Sequence, residues 1–206
     1  MLLFTTANTL IAFDIDSQTI RWQTKTATGR GIVYKPSVLS TCGICIITTW
    51  ENNEVHVYSL NDGTLRSKFR LTDFCGTHTC DSATSTWYAK MSGVIASFRW
   101  DGTKLVADRT KQISEAVHTI TVIPPTPGRH TSYLVGTYCK AEFNTVLHVY
   151  SLPDLRLVCS HITPRVYENR VFADPSGTSI AMLNFVGAGN SISILPWPLS
   201  GMPALE

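Results

Sequence analysis

Charged residues are scarce in this chain. Of its 206 residues, 16% are charged and 44% are hydrophobic, whereas soluble domains ordinarily carry about 25% charged residues. The net charge of +2 produces no field that would attract nucleic acid or an anionic membrane. No apolar run approaches the roughly 18 residues of a membrane-spanning helix. We therefore expect a protein that covers much of its surface, without direct nucleic-acid binding and without membrane insertion.

Targeting signals and catalytic motifs are also missing. Residues 1–16, MLLFTTANTLIAFDID, have no basic segment and become polar too early for a secretory signal. An intracellular location, cytoplasmic or nuclear, is expected, and thiols normally stay reduced there. No Ser-His-Asp spacing, glycine-rich phosphate loop or His-Glu-x-x-His motif occurs. The sequence therefore favours a protein that is not an enzyme and needs neither a cofactor nor a metal.

The most informative feature that is present is an internal repeat. Residues 55–66 read VHVYSLNDGTLR and residues 147–158 read LHVYSLPDLRLV, so His-Val-Tyr-Ser-Leu recurs about 92 positions apart. Weaker copies are LIAFDIDSQTIR at 10–21 and VIASFRWDGTKL at 94–105. Each copy alternates apolar residues and then turns, which is a hairpin pattern. One slot in every copy is aromatic, and it holds Phe13, Tyr58, Phe98 and Tyr150.

A second kind of hairpin alternates with the first. Residues 171–183 read VFADPSGTSIAML, an apolar strand, a Pro-Ser-Gly turn and another apolar strand. Each repeat therefore holds four strands, named A to D in chain order, within about 43 residues. This length is typical of β-propeller blades. A β-sandwich or an up-and-down barrel has similar strand spacing, but neither requires repetition at blade length.

These motifs resemble those of WD-repeat propellers. The VFADPSGTSIAML stretch looks like the Ser-Pro-Asp-Gly hairpin of WD-repeat and lactonase-like propellers. AFDID at 12–16 and VYSL at 57–60 look like the aromatic-Asp-Leu strand end of WD repeats. The resemblance implies an all-β propeller of about four to five four-stranded antiparallel blades that acts as a non-catalytic interaction scaffold. The alternative is a lactonase-like or other small-molecule-binding propeller.

The strand count predicts an incomplete ring. The first repeat begins at its B strand, and the last has no recognisable D strand. Exposed sheet edges recruit other strands, so we expect a subunit of a larger complex whose propeller is completed by a partner chain or by a missing part of the same protein. A closed five-bladed ring, in which one chain end completes the blade of the other, is the alternative. The single domain, 1–206, divides into blades at about 1–27, 31–71, 74–110, 117–161 and 168–206.

Two close cysteine pairs raise the question of metal chemistry. Cys42 and Cys45 fall at the start of an expected strand, where residues three apart point to opposite faces of the sheet. Such a pair cannot share a tetrahedral zinc ion unless a turn or bulge intervenes. The pattern favours reduced cysteines that pack as small hydrophobic residues. The alternative is a zinc site made by Cys75, His78 and Cys80 together with Cys42.

Candidate partner-binding residues lie in loops at one face of the expected disc. These loops enter the A strands or join the B strands to the C strands. Aromatic residues and arginine are enriched in the cores of protein interfaces, so we predict that other protein subunits bind this rim. The predicted rim residues are Arg30, Trp50, Glu51, His118, Lys140, Glu142, Phe143 and Arg170.

Overall fold

Strands dominate the described part of the chain. The computed structural model describes residues 1–6, 8–26, 36–49, 53–113, 117–125, 131–140, 144–163, 167–174, 178–186, 189–199 and 202. Within these residues there are eighteen β-strands and one short 3₁₀ turn, Ser40–Cys42. In chain order the strands are β1 (Leu2–Thr5), β2 (Thr9–Asp14), β3 (Thr19–Lys25), β4 (Ser37–Leu39), β5 (Ile44–Thr48), β6 (Glu54–Ser59), β7 (Leu65–Arg70), β8 (Phe74–Asp81), β9 (Thr86–Met91), β10 (Val94–Trp100), β11 (Leu105–Gln112), β12 (Thr119–Ile123), β13 (Tyr133–Lys140), β14 (Asn144–Ser151), β15 (Arg156–Thr163), β16 (Tyr167–Ala173), β17 (Ser179–Val186) and β18 (Gly189–Pro196).

The strands form five antiparallel sheets, each made of strands consecutive in sequence. We name these sheets blade 1 (β1–β3), blade 2 (β4–β7), blade 3 (β8–β11), blade 4 (β12–β15) and blade 5 (β16–β18). The first strands β4, β8, β12 and β16 of neighbouring blades approach one another, as the inner strands of a propeller do. The prediction of an all-β propeller with antiparallel, mostly four-stranded blades is confirmed.

The ring is open. Blades 1 and 5 have three strands each within the described residues, whereas blades 2, 3 and 4 have four. Blade 1 corresponds to strands B, C and D, and blade 5 corresponds to strands A, B and C. The hydrophobic clusters of the described residues join each blade to the next, but none joins blade 5 to blade 1. The expectation of an incomplete propeller is therefore confirmed.

A β-bulge marks the aromatic slot of the repeat. The pairing of the C and D strands shifts register immediately before the aromatic residue in blades 1 to 4. A bulge bends its strand and increases the local twist. In blades 2, 3 and 4 the aromatic side chain belongs to the cluster shared with the preceding blade. The aromatic residue therefore marks the face of each of these blades that packs on the preceding blade.

The core lies between the blades. Val55 and Val57 of blade 2 share a cluster with Trp87 and Phe98 of blade 3. We call the side of a blade that faces the next blade its forward face, and the opposite side its backward face. Val57 and the adjacent Tyr58 thus belong to clusters on opposite sides of the same sheet. Alternation along the strand provides both packing surfaces.

Polar contacts also hold neighbouring blades together. The backbone N–H groups of Ile120 and Val122 donate to the hydroxyls of Thr77 and Thr79 at 3.2 Å each, which ties β12 to β8. The indole Nε1 of Trp22 in blade 1 donates to the carbonyl oxygen of Leu60 after β6 at 2.9 Å. Because hydrogen bonds are directional, these contacts fix how adjacent blades are offset along the strand direction, whereas apolar packing is not directional.

The cysteine prediction is confirmed in part. Cys42 packs against the cluster between blades 2 and 3, and Cys45 belongs to the cluster between blades 1 and 2, so they do lie on opposite faces. The placement of Cys42 in a strand is wrong, because Cys42 ends the 3₁₀ turn and β5 begins at Ile44. Gly43, with φ of +64°, closes that turn in the left-handed region that suits glycine.

Candidate protein interface

Equivalent repeat positions differ sharply in exposure between interior and terminal blades. The two forward-facing slots of the C strand hold Val55 and Val57 in blade 2, and Leu147 and Val149 in blade 4; all four residues are 0% exposed. In blade 5 the same two slots hold Ile192 and Ile194, which are 69% and 71% exposed. The residue types are equally apolar, so the difference comes from the neighbour. Blades 2 and 4 are each followed by a blade that packs on these slots, whereas the described residues place no sheet beyond blade 5.

The exposed isoleucines of blade 5 belong to one continuous sheet face. Directly paired residues share a face, and Ile192 pairs with Leu183 while Ile194 pairs with Ala181. The described side chains on this face are uncharged, and that of Arg170, whose backbone pairs with Leu183, lies outside the described part. The opposite face of the sheet packs on blade 4 through buried residues such as Ile180. Blade 5 is therefore covered on one side only, although both of its faces are apolar.

Blade 1 has a corresponding uncovered face at the other end of the arc. Leu2 is 51% exposed, Phe4 is 39% exposed and Ile20 is 54% exposed. Leu2 and Ile20 both pair with Phe13, the aromatic residue of the first repeat, so the exposed side is the backward face of blade 1. Its forward face packs on blade 2. Large exposed apolar patches of this kind mark interaction sites in soluble proteins.

Most of the predicted rim residues lie outside the described part of the chain. This applies to Arg30, Trp50, Glu51, Glu142 and Phe143. Lys140 is the last residue of β13, next to the expected loop. His118 is exposed, and its backbone N–H donates to the carbonyl of Thr137 at 2.6 Å just before β12. The rim therefore stays a prediction.

Arg170 needs a correction. The sequence pattern places it in the loop that enters an A strand, but it lies within β16, which begins at Tyr167. Its backbone pairs with Leu183 of β17. The run Tyr-Glu-Asn-Arg looks like a loop because it is polar, yet strand pairing extends through it with a register shift between Tyr167 and Asn169.

A chain of buried hydrogen bonds links charged and polar side chains of blade 2. The Nε2 atom of His56 lies 3.1 Å from Oε2 of Glu54, and its Nδ1 atom lies 3.2 Å from the hydroxyl of Tyr58. The Lys68 ammonium contacts the same Glu54 oxygen at 3.0 Å. His56 is fully buried and Glu54 nearly so. Both ring nitrogens of His56 are therefore engaged in structural contacts, out of reach of a ligand.

The pKa shifts agree with that structural role. Burial lowers the pKa of His56, although Glu54 opposes the shift. Burial alone would raise the pKa of Glu54, but the hydrogen bonds from Lys68 and His56 lower it below its ordinary value. Burial, with a smaller effect of Cys45, raises the pKa of Tyr58 to about 12. The consistent assignment is a neutral histidine that donates to an ionised Glu54 and accepts from the Tyr58 hydroxyl.

The histidine contact is part of the repeat. In blade 4 the Nδ1 atom of His148 lies 3.3 Å from the hydroxyl of Tyr150, as His56 and Tyr58 do in blade 2. The position equivalent to Glu54 is Val146, so the ionic part of the network is specific to blade 2. Recurrence of the pair in two blades indicates that it supports packing between blades.

The residues of the alternative zinc site have other contacts. Nδ1 of His78 lies 2.9 Å from the Ser37 hydroxyl and accepts the indole N–H of Trp87 at 3.2 Å. The Cys80 thiol donates to the Val38 carbonyl at 3.1 Å. Within the described residues, no group of three or more His, Cys, Asp and Glu side chains is placed to hold a metal ion. The side chain of Cys75 lies outside the described part.

One shallow cleft lies between blades 2 and 3. Its volume is about 270 Å³, and it is bordered by mostly polar or small residues, among them Ser59, Asn61 and Arg66, with Trp100 on the side of blade 3. Its lining includes the turn between β4 and β5 at Cys42 and Gly43 and the turns that follow β6 and β10, but no residue of the inner strands β4 and β8. A small-molecule-binding propeller of the lactonase-like kind would place its acidic and histidine side chains around the central channel instead. No helix in the described residues is long and apolar enough to cross a membrane.

Comparison with known proteins gives fold-level likenesses. No protein-family model matches the chain, and no curated protein matches it. Similar solved structures include hydrazine synthase from Kuenenia stuttgartiensis, with a TM-score of 0.65 and 14% identity. The Dos1 propeller is similar with a TM-score of 0.63 and 10% identity. BBS1N, crystallised in complex with ARL6DN, has a TM-score of 0.65 and 14% identity.

The alignments cover nearly all of this chain but only part of each solved one. They include 92%, 90% and 97% of this chain and 60%, 48% and 61% of the respective solved chains. The chain thus spans about half to three fifths of the length of these structures. At such low identity the likeness establishes architecture alone, and together with the five sheets it shows that the chain is a β-propeller with an open ring.

Proposed function

We propose that this chain is a non-catalytic protein-interaction scaffold, a WD-repeat-like propeller subunit of a larger intracellular complex. The observation that carries the proposal is the exposure of Ile192 and Ile194 at slots that are fully buried in blades 2 and 4. A free protein would leave this apolar face in water, at a cost of about 25 cal/mol for each Å². Covering it with another protein removes that cost.

Two further observations support the scaffold. The charged and histidine side chains of blade 2 that could do chemistry are buried and mutually hydrogen bonded. One of the similar structures, BBS1N, was crystallised in complex with ARL6DN, so a chain of similar architecture associates with another molecule. That structure does not indicate which face of the present chain binds a partner, and we infer this face from the exposed residues of blades 1 and 5.

The test is the size of the native particle. The tagged chain is isolated from its native cells under mild conditions, and its sedimentation is compared with that of the purified recombinant chain. We expect the native material to sediment as a larger, compositionally uniform particle. The double variant Ile192→Lys/Ile194→Lys should release the chain from that particle, because two lysines cannot be desolvated against an apolar surface.

Ile162→Lys is the matched control. Ile162 is also an exposed isoleucine, at 60% exposure, but it lies on β15, the outer strand of blade 4. Its substitution should leave the particle intact. If the native wild-type chain sediments alone, as a monomer, the scaffold proposal is wrong.

A further inference from the structure

The two uncovered faces are of complementary kinds. Blade 5 exposes a forward face, the kind that carries aliphatic residues from the C strand, such as Val55 and Val57 in blade 2. Blade 1 exposes a backward face, the kind that carries the aromatic slot, here Phe13. Every interface inside the arc joins one forward face to one backward face. The two ends of the open ring therefore expose one backward face and one forward face, the two kinds of face that pack together between neighbouring blades.

We propose, building on the scaffold function above, that a separate polypeptide fills the gap with one or more propeller-type sheets and contacts both end faces at once. The sheet next to blade 5 must present a backward face, with an aromatic or other large apolar residue opposite Ile192 and Ile194. The sheet next to blade 1 must present a forward face, with aliphatic residues opposite Leu2 and Phe4. These are the two sides of a single blade, or of a short stack of blades.

Charge also restricts the occupant. On the blade 5 face the described side chains are uncharged, although the side chain of Arg170, whose backbone pairs with Leu183, lies outside the described part. On the blade 1 face Lys25 lies beside Thr9 at the end of β3, away from Leu2 and Ile20. Among the described side chains, an apolar occupant therefore meets little charge on either face. An apolar surface of alternating strand residues fits both.

A second copy of this chain fits less well. If blade 5 of one copy stacks on blade 1 of another, the interface is heterologous, and each added copy again exposes the face that it covers. Such stacking grows into a filament unless the rotation closes a ring, and a ring of two copies would hold ten sheets, more than the four to eight blades typical of propellers. If two copies pair through blade 5 alone, both blade 1 faces remain exposed. One polypeptide that bridges the gap covers both end faces and leaves no face exposed for further stacking.

Site-specific photocrosslinking tests this inference. The full chain is produced in its native cells with p-benzoylphenylalanine in place of Ile194 or, in a second sample, of Phe4. Crosslinked peptides are identified by mass spectrometry. We expect both positions to attach to the same partner polypeptide, at alternating apolar residues of its β-strands. Placing the crosslinker at Ile162 should give no such product, and Ile192→Lys should abolish the product formed from position 194.

Other crosslinks would overturn the inference. Attachment of position 194 to blade 1 of the same chain would show a closed ring, and attachment to a second copy would show self-assembly. The inference is also wrong if positions 194 and 4 attach to a helix or to two unrelated polypeptides. It is wrong as well if they give no more product than the Ile162 control. If these outcomes occur while the native particle remains larger than the chain, the scaffold function stands and only the blade-supplying partner is wrong.

Discussion

At the residue scale, the contact between Gly63 and Trp22 illustrates how a turn residue can fix two blades. Gly63 follows Asp62 in the turn after β6 and has φ of +70°. A Cβ atom at this position would lie 2.5 Å from the Trp22 ring, and the same indole donates to Leu60. Both the backbone conformation and the approach of the ring therefore require glycine.

Replacing Gly63 by alanine should weaken the junction between blades 1 and 2. The left-handed backbone costs alanine about 1 kcal/mol, and overpacking against Trp22 adds about 1–3 kcal/mol. Gly93→Ala is the matched control, because Gly93 has nearly the same φ, +72°, and an added methyl group there would meet nothing within 4 Å. Urea denaturation should show the larger loss for Gly63→Ala. Equal losses for the two variants would show that the Trp22 contact contributes nothing.

A second residue-scale prediction concerns acid stability. Asp62 accepts hydrogen bonds from the backbone N–H and the hydroxyl of Thr64 at 3.0 and 2.8 Å. These bonds, the backbone one first, lower its pKa from 3.8 to about 2. A depressed folded-state pKa stabilises the fold above the unfolded-state value, and this stabilisation is lost as the pH falls toward the folded-state pKa.

Asp62→Asn should therefore flatten part of the acid response. Asparagine keeps the turn-forming acceptor but does not titrate. Between pH 4 and pH 2 the wild type should lose more unfolding free energy than the variant, while above pH 5 the two curves should run parallel. Denaturation series at each pH provide the measurement. Curves that stay parallel down to pH 2 would remove the role assigned to this carboxylate.

At the element scale, the C strands show what the sequence can predict. The repeated hairpins and the aromatic slot follow from alternation and spacing, and the structure confirms them. Cys42 and Cys45 do lie on opposite faces, but strand alternation is not the reason, because Cys42 ends a 3₁₀ turn before β5. The bulge before each aromatic residue does not follow. Its extra residue lies on the D strand, and that residue is Arg21, Arg66, Asp108 or Val158 in the four blades, so no shared residue type marks it.

The exposed faces are equally hidden from pattern reasoning. The strand count predicts an open ring, but Ile192 and Ile194 alternate like the core residues of any blade, and their own pattern does not mark them as exposed. Exposure is a property of the surroundings of a strand rather than of the strand itself. The rim residues are predicted from their type, and most lie outside the described residues, so their role stays a prediction.

Equivalent strand slots should respond oppositely to the same substitution. Val149→Lys places an ammonium group in the core between blades 4 and 5 and should cost more than about 3 kcal/mol of unfolding free energy. Ile194→Lys, at the same slot of blade 5, should change it by about 0.5 kcal/mol or less, as surface substitutions do. Thermal denaturation of the purified chain distinguishes the two. A comparable loss at Ile194 would mean that its face is covered.

At the scale of the whole molecule, the open ring is a stack of blades whose two end faces are not packed against another blade. The four hydrophobic clusters are shared between successive blades, so each interior blade is stabilised from both sides. Blades 1 and 5 are stabilised from one side only. In such quasi-one-dimensional stacks the terminal units are the least stable. We therefore expect a partner that covers the ends to raise the stability of the whole chain.

Hydrogen exchange would show this gradient. In the isolated chain, the backbone amides of β2 and β17 should exchange faster than those of β6, β10 and β14, because opening a terminal blade disrupts a single interface. The native complex should slow exchange at both ends and change little in blade 3. Uniform protection across all five blades of the isolated chain would argue against separable terminal blades.

The most direct test of the open ring is the accessibility of its end faces. Ile194→Cys, Phe4→Cys and Val57→Cys variants of the isolated chain are treated with a maleimide at low protein concentration, and labelling at each position is followed by peptide mass spectrometry. The open ring predicts fast labelling at 194 and 4 and slow labelling at 57, where the side chain is buried. Protection at 194 and 4 equal to that at 57 would show that the two ends meet, and the ring would then be closed.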